Sequence, residues 1–214
     1  MRISELRKVS GVPIPTIKFY LREGLLPQGR LFAANQAEYD QDHVRRLRLI
    51  RALAEVGGLP LATVRKILQA VDDPELPIHE ALGTAHRALG PDLGQEDDPE
   101  VGDARAEVDR FIQGLGWEVS PDSPGRHELA VALGTLRRLG WPNADVRLFT
   151  RYARAADRLA AAEVQRTTPA GATRAETMER AVIGTVVFEA VLSALRRLAQ
   201  ERHSAARFRS STQP

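Results

Sequence analysis

The chain has 214 residues, 43% of them apolar and 27% charged, so it can bury a core in one large or two small domains. It contains no cysteine, which excludes disulfides, thiolate metal sites, iron–sulfur clusters and cysteine nucleophiles. It also lacks an apolar run long enough for a membrane span and an apolar signal segment, so we expect a cytoplasmic protein that does not enter a membrane.

Charge is distributed unevenly along the chain. Residues 1–66 carry 12 Lys and Arg against 6 Asp and Glu, a net +6, whereas residues 67–214 carry 18 against 22, a net −4. A basic segment on a mildly acidic body indicates a polyanionic partner for the basic part. The alternative is chance clustering of charge on a solvated face, and charge alone does not decide between the two.

The first part of the chain has the pattern of two short helices. Apolar side chains repeat on one face of residues 3–10, and Gly11 is a helix-stop signal. Pro13 and Pro15 stand where a second helix would begin, because proline is tolerated in a first turn, and Gly24 ends that helix. Two short helices with a short connection predict a helix-turn-helix.

The next segment, LLPQGRLFAANQAEY, has no helical period. Its turn residues include Pro27 and Asn35, so it predicts a small two-stranded hairpin. Helical apolar spacing returns over residues 41–56 and 61–71. The order of these elements predicts a winged helix-turn-helix.

The remainder of the chain predicts helices only. One helix is expected over 143–166 with Asn143 as its N-cap, and the last over 174–203. The predicted fold class is therefore mainly α: an N-terminal winged helix-turn-helix with a small β-hairpin wing, followed by an all-α C-terminal domain. The predicted boundaries are 1–73 for the winged domain, 74–100 for a short helix (78–89) and an acidic linker, 101–206 for the helical domain and 207–214 for a disordered tail.

The helix predicted over residues 14–23 has an apolar and a cationic face. Ile17 and Leu21 are expected to point toward the core, while Lys18 and Arg22, four residues apart, lie on the outer side. Long cationic donors on one helix face suit contacts to DNA phosphates, with base edges read from the helix tip. The alternative is a surface helix whose charges are simply solvated.

Two segments carry a family resemblance: ISELRKVSGVPIPTIKFYLREGLLP and YDQDHVRRLRLIRAL. They resemble the DNA-binding domain of the MerR (mercury-resistance regulator) family of bacterial transcription factors, over residues 2–71. The distance from Pro27 to Tyr39 also equals that of the family's wing. The resemblance implies a nucleoid-associated regulator that binds double-stranded DNA at a promoter inverted repeat as a homodimer, with RNA polymerase as a partner.

The resemblance assigns DNA contacts to residues of the recognition helix. These are Thr16, Lys18, Phe19, Tyr20 and Arg22. The family usually has Arg-Tyr-Tyr where this chain has Lys18, Phe19 and Tyr20. Tyr20 is expected to reach a phosphate, Phe19 to support the core, and Lys18 to act as a point charge in place of a forked guanidinium.

The wing departs from the family pattern. The family's wing tip is typically Gly-Tyr-Arg, and the matching residues here are Asn35, Gln36 and Ala37. Asn35 can still adopt a turn with positive φ. Arg30, Asn35 and Gln36 are the wing residues expected at the DNA, with Gln36 replacing the lost arginine and tyrosine.

Two segments are candidates for the homodimer contact. MerR-like proteins dimerise through a long helix directly after the DNA-binding domain, but here the helix over 78–89 is short and an acidic segment follows it. The last helix, 174–203, is apolar almost all round from Val182 to Leu192, and Gly184 would allow a close approach by a partner helix. The sequence favours 174–203, while 78–89, or a purely internal role for the last helix, stays open.

An effector would have to be an organic molecule, because the family's thiolate-based metal and redox sensing needs cysteine. Trp117, Trp141, Phe149 and Tyr152 are the candidates to line a cavity for an apolar small molecule. The alternative is that these aromatic residues belong to an ordinary core and that no effector exists.

No catalytic arrangement is recognisable in the sequence: it offers no Ser–His–Asp motif, phosphate-binding glycine loop or paired carboxylates in a defined cleft. We therefore expect neither an enzyme nor a cofactor or metal. The alternative to a promoter regulator is an architectural DNA-binding protein, or a drug-sequestering protein without promoter-specific activation.

Overall fold

The computed structural model describes residues 1–33, 36–89, 99–167 and 171–209. The chain divides into two compact units, residues 1–73 together with the helix that begins at Arg174, and residues 74–173. This division differs from the expected boundaries, because the last helix groups with the winged domain and not with the rest of 101–206. The expected linker falls largely on residues 90–98, outside the described part of the chain.

The described elements confirm the predicted fold class. They are α1 (Ile3–Ser10), α2 (Ile14–Arg22), β1 (Arg30–Ala33), β2 (Gln36–Glu38), α3 (Gln41–Arg51, continued by a π-helical turn over Ala52–Val56), α4 (Leu61–Asp72), α5 (Ile78–Leu89), α6 (Pro99–Gly114), α7 (Pro124–Arg138), a 3-10 turn (Val146–Phe149), α8 (Thr150–Thr167) and α9 (Arg174–Arg209). Because α9 runs to Arg209, residues 207–209 of the expected disordered tail are helical. Residues 210–214 lie outside the described ranges.

Two glycines end the first two helices. Gly11 has a φ of 72°, and its N–H donates to the carbonyl of Arg7 at 2.9 Å, which ends α1 in a left-handed cap. Gly24 has a φ of 69°. The N–H of Leu25 then donates to the carbonyl of Tyr20 at 3.0 Å. Glycine adopts this φ without steric cost, so the chain can turn tightly after α1 and again after α2.

Apolar side chains from α1 to α4 form the core of the first unit. Leu6, Ile17, Leu47, Ile50 and Ile67 are all fully buried there. Their spacing within each helix is the three- and four-residue step that directs one face inward. This core holds the outer face of α2 in a fixed orientation.

The first half of α9 completes the same core. Met178 and Val182 are fully buried, and Val186 is nearly so. Gly57 permits this packing, because a Cβ atom there would lie 2.9 Å from Cγ1 of Val186 and 2.8 Å from the carbonyl oxygen of Leu53. The first half of α9 is thus a structural part of the winged domain.

The wing is an antiparallel hairpin in which Arg30 is opposite Glu38. Its base is fastened to the start of the chain: the amino group of Met1 donates to the carbonyl of Tyr39 at 2.6 Å, and the N–H of Tyr39 donates to the carbonyl of Met1 at 2.8 Å. At Gly29 an added Cβ would lie 2.7 Å from the carbonyl oxygen of Glu38, so the two chains approach closely at the base. These contacts anchor the hairpin.

In the second unit, α6 packs against α7. The buried side chains of this core are Val101, Ala104, Val108, Ile112, Ala130 and Leu133. The helix predicted over 143–166 begins later, at Thr150. Asn143 has a φ of 53° and is not the cap; instead, Asp145 accepts a hydrogen bond from the N–H of Arg147 at 2.8 Å and caps the preceding 3-10 turn.

Within the described ranges, no helix combines the length and the apolar character needed to cross a membrane.

Candidate nucleic-acid interface

The outer face of α2 presents cationic side chains above a buried inner face. Ile17 is fully buried, whereas Lys18 and Arg22 are exposed, as expected from their spacing. Thr16 and Phe19 are half-buried. Of the residues predicted on this helix, Lys18 and Arg22 therefore have the most accessible side chains.

Tyr20 lies on the inner face, which differs from the expected exposed phenol. Only 6% of its surface is accessible, and its ring lies 5.7 Å from that of Phe19, centroid to centroid. Burial raises the pKa of Tyr20, and Glu55 raises it further, while Arg51 acts in the opposite direction. The expected roles are reversed: Tyr20 packs inward beside Ile17, and Phe19 is the more accessible ring.

The reason for the reversal is the direction of the inner face. Steps of three and of four residues both stay near one face of a helix, so either Tyr20 or Leu21 can accompany Ile17 into the core. In the structure Tyr20 is the buried one of the two, while Leu21 stays half-buried. We therefore do not assign a phosphate contact to Tyr20.

The exposed cations of α2 and the wing have no acidic partner. Lys18, Arg22 and Arg30 form no ion pair with any carboxylate of the described residues. No carboxylate in the described part of the chain neutralises their charges, so they can meet an external polyanion.

The cations of α3 and α4 behave differently. Nη1 of Arg46 donates to Asp72 at 2.7 Å, and Nε of the same side chain donates to the carbonyl of Leu25 at 2.9 Å. Arg65 pairs with Glu23 at 3.2 Å. These arginines hold the domain together, and their charges are largely used within it.

The base of the wing is held against the end of α2. Nε2 of Gln28 donates to the carbonyl of Leu21 at 3.1 Å. Arg30 and Gln36 are both exposed on the hairpin, as expected, whereas Asn35 lies outside the described residues. The wing therefore starts beside the last turn of α2, which carries the exposed cation Arg22.

Sequence reasoning missed two groups near this surface. Arg7 and Lys8, in the last turn of α1, are exposed and join the turn that leads into α2. Leu31 and Phe32 on β1 are 74% and 49% exposed. The basic pair was readable as charges at a helix end, but the two apolar side chains read as ordinary strand residues.

The four aromatic residues predicted to bind an effector do not all line one described cleft. Trp117 and Phe149 pack against the core of the second unit, whereas Trp141 and Tyr152 are 59% and 60% exposed. Trp117 alone of the four lines a cleft of about 400 Å³. The other residues that line the cleft are Asp109, Arg110, Gln113 and Arg126. This lining of charged, amide and aromatic side chains differs from the apolar cavity that was expected.

The second half of α9 has an uncovered apolar face. Val191, Leu192, Leu195 and Leu198 are between 47% and 61% exposed. Gly184, expected to admit a partner helix, is buried within the first unit. The apolar face therefore begins beyond the residues that complete the winged domain.

A helix-turn-helix with an unpaired cationic helix and an anchored hairpin wing defines a DNA-binding protein of the winged helix-turn-helix class. Residues 1–71 match the family described as MerR helix-turn-helix regulatory proteins. The chain is also similar to SCO5550 of Streptomyces coelicolor A3(2), a crystal structure described as that of a candidate transcriptional regulator. The two are 44% identical over 97% of this chain and 98% of that one, with a TM-score of 0.77.

Residues 1–71 therefore form a helix-turn-helix domain of the MerR family. The similarity of nearly the whole chain to a candidate transcriptional regulator supports a DNA-binding transcription regulator. No protein of curated function matches the sequence.

Proposed function

We propose that the protein binds a promoter inverted repeat as a homodimer, in the cytoplasm at the nucleoid, with α2 of each copy in a major groove. The observation that carries this proposal is the set of exposed cations, Lys18, Arg22 and Arg30, which have no acidic partner in the described chain. Phosphate contacts of this kind position a protein on the duplex without reading its sequence.

Specificity on this proposal depends strongly on DNA shape. The tip of α2 consists of Pro13, Ile14 and Pro15, which carry no side-chain donor for a bidentate base contact. Their apolar atoms can contact a thymine methyl group. A large part of the sequence preference then comes from the deformability of the site.

The small size of one winged domain supports a dimer. A single module of this kind buries about 600–1,000 Å² of protein surface on DNA, which is small for specific binding, so two half-sites are expected. RNA polymerase at the same promoter is the further partner that the family relationship suggests.

The second half of α9 is the proposed dimer helix. Val191, Leu195 and Leu198 follow each other at four- and three-residue steps and are exposed, which is the pattern of a coiled-coil seam. The alternative, α5, has 12 residues against 36 in α9. The longer helix therefore offers the better seam.

The dimer is tested by light scattering on full-length protein carrying both Leu195→Glu and Leu198→Glu. We expect a folded monomer, because the added charges oppose burial of the seam. Gln200→Glu is the matched control, since it adds a charge away from the seam and should stay dimeric. A double variant that remains a dimer would move the interface elsewhere, with α5 the next candidate.

The DNA-binding proposal is tested with duplexes that the full-length protein selects from a randomised library. We expect the selected sequences to share an inverted repeat and DNase I footprinting to show one bounded site. Cooperative spreading of protection without a shared repeat would instead support the architectural alternative.

We also propose that an organic effector acts on the second unit, at the cleft beside Trp117. The charged and amide side chains of Asp109, Arg110 and Gln113 in its lining favour a polar organic molecule over an apolar one. The effector is tested by tryptophan fluorescence across panels of polar and apolar metabolites, comparing Trp117→Phe with Trp141→Phe.

We expect the response to disappear in Trp117→Phe and to remain in the control, because Trp141 lies outside the cleft. The opposite pattern, or silence across both panels, would contradict this site. A ligand that binds without changing affinity for DNA would support the drug-sequestering alternative.

A further inference from the structure

The wing carries two exposed apolar side chains on one short strand. Leu31 is 74% and Phe32 49% exposed, and they directly follow the exposed cation Arg30. On β2, Gln36 and Glu38 are exposed polar residues. Single exposed apolar residues are common, but an adjacent Leu and Phe on a two-stranded hairpin have little structure of their own to cover them.

The wing is anchored where it can meet DNA beside α2. The hydrogen bond from Gln28 to the Leu21 carbonyl holds its first strand against the last turn of α2, at 3.1 Å. The Met1–Tyr39 pair holds the second strand, with hydrogen bonds of 2.6 and 2.8 Å. A hairpin fixed at both ends of its base can press a side chain into a surface.

Charge identifies the occupant of this apolar surface as DNA. Arg30 precedes Leu31 and forms no ion pair with a described carboxylate, even though Glu38 is opposite it in the hairpin. The cation at the base of the wing would contact a DNA phosphate. The apolar atoms beyond it would contact the deoxyribose groups that form the walls of the minor groove. Leu and Phe are among the side chains that proteins insert between base steps in that groove.

We propose that the wing is an apolar wedge in the minor groove beside the major groove occupied by α2, in which Leu31 and Phe32, neighbours on β1 where its register is irregular, pack against the two walls of that groove. There they pack against deoxyribose and partly unstack a base step, while Arg30 contacts the adjacent phosphate. This inference rests on the proposed placement of α2 in the major groove. It makes the wing a determinant of sequence preference through the ease with which a step unstacks.

The test uses the full-length protein and a duplex selected by the wild type, with 2-aminopurine placed at successive positions of the flanking minor groove. Leu31→Ser and Phe32→Ser should each weaken binding about tenfold, the loss expected for one buried apolar side chain. The slope of log K against log salt should not change, because no phosphate contact is removed. The wild type should raise 2-aminopurine fluorescence at one step, and both variants should lose that signal.

Val9→Ser is the matched control, since Val9 is a 50% exposed apolar residue on α1 and should bind like the wild type. Lys18→Ala separates the two levels of the proposal. If Lys18→Ala weakens binding and the two wing variants do not, the wedge is wrong and the placement of α2 stands. If Lys18→Ala also has no effect, the placement of α2 fails first. A reduced salt slope in the wing variants, or no fluorescent step in the wild type, would also overturn the wedge.

Discussion

Helices α2 and α3 are both basic, yet they use their charges in opposite ways. On α2, Lys18 and Arg22 are exposed and meet no described carboxylate. On α3, Arg46 pairs with Asp72 at 2.7 Å and Arg51 pairs with Glu55 at 2.9 Å. The net charge of a segment therefore does not identify its binding face. The binding face is identified by exposed cations that have no described acid within reach.

The same contrast separates recognition from support. The cations of α3 join it to α4 and to α9, where Arg45 lies 3.7 Å from Glu179. The cations of α2, Lys18 and Arg22, form no ion pair with any residue of the described chain. Changes in α2 should thus affect DNA binding at constant stability, and changes in α3 should do the reverse.

The largest effect is expected from reversing both free charges of α2. Lys18→Glu with Arg22→Glu should lower affinity for the selected duplex by about 100-fold or more near physiological salt, because two phosphate contacts become repulsive. Fluorescence anisotropy measures the loss. Arg151→Glu with Arg154→Glu makes the same change of charge on exposed α8, and should leave affinity nearly unchanged. Equal losses in the two double variants would remove the distinction between α2 and other basic faces.

The next effect is on stability, and it comes from α3. Arg46→Ala should lower the free energy of unfolding by about 2 kcal/mol, because Asp72 and the Leu25 carbonyl each lose a charged donor. The Arg46 side chain is only 13% exposed, so water cannot fully replace it. Urea unfolding measures the change, with Arg151→Ala as the control, because Arg151 is exposed and forms no ion pair among the described residues. A stable Arg46→Ala variant with weakened DNA binding would contradict the assignment of this arginine to support.

A smaller, pH-dependent effect is expected at Glu179. Burial raises its pKa, and Arg45 is the first of several arginines that partly offset the rise. A carboxyl group with a raised pKa in the folded state costs stability when it is ionised, and the cost disappears when it is protonated in both states. Glu179→Gln should therefore stabilise the protein slightly, by less than about 1 kcal/mol, at neutral pH. The gain should vanish below about pH 4, where the unfolded carboxyl is protonated too. Thermal unfolding across pH measures this; a variant less stable than the wild type at neutral pH would show that the ion pair outweighs burial.

The smallest effect is expected at Tyr20. Because the ring is buried, Tyr20→Phe should change affinity for the selected duplex by less than about twofold, which is well under 1 kcal/mol. Anisotropy titration is the measurement. A tenfold loss without a loss of stability would restore the phosphate contact that the sequence predicted.

The helices and strands of the winged domain could be predicted from the sequence, because local signals mark the helix ends. Gly11 and Gly24 occupy the positive-φ positions that the turns require. The inward direction of Tyr20 was not predictable, since a helical period allows either Tyr20 or Leu21 to face the core. Tertiary packing, which buries Tyr20 and leaves Leu21 half-buried, decides between them.

The grouping of α9 with the winged domain was also beyond the sequence pattern. Val186 packs on Gly57 across a long separation in the chain, and no local signal reports such a contact. The effector prediction depended on aromatic composition alone. The cleft beside Trp117 is instead defined by polar residues of the second unit, such as Asp109 and Arg126.

The most direct test of the difference between free and paired cations is the salt dependence of DNA affinity in single variants. Lys18→Ala and Arg22→Ala should each flatten the slope of log K against log salt by about 0.9, the value for one phosphate contact. Arg65→Ala should keep the wild-type slope, because its guanidinium pairs with Glu23 at 3.2 Å. Wild-type slopes in both α2 variants, or an equal flattening in Arg65→Ala, would contradict the claim that the unpaired cations of α2 contact DNA.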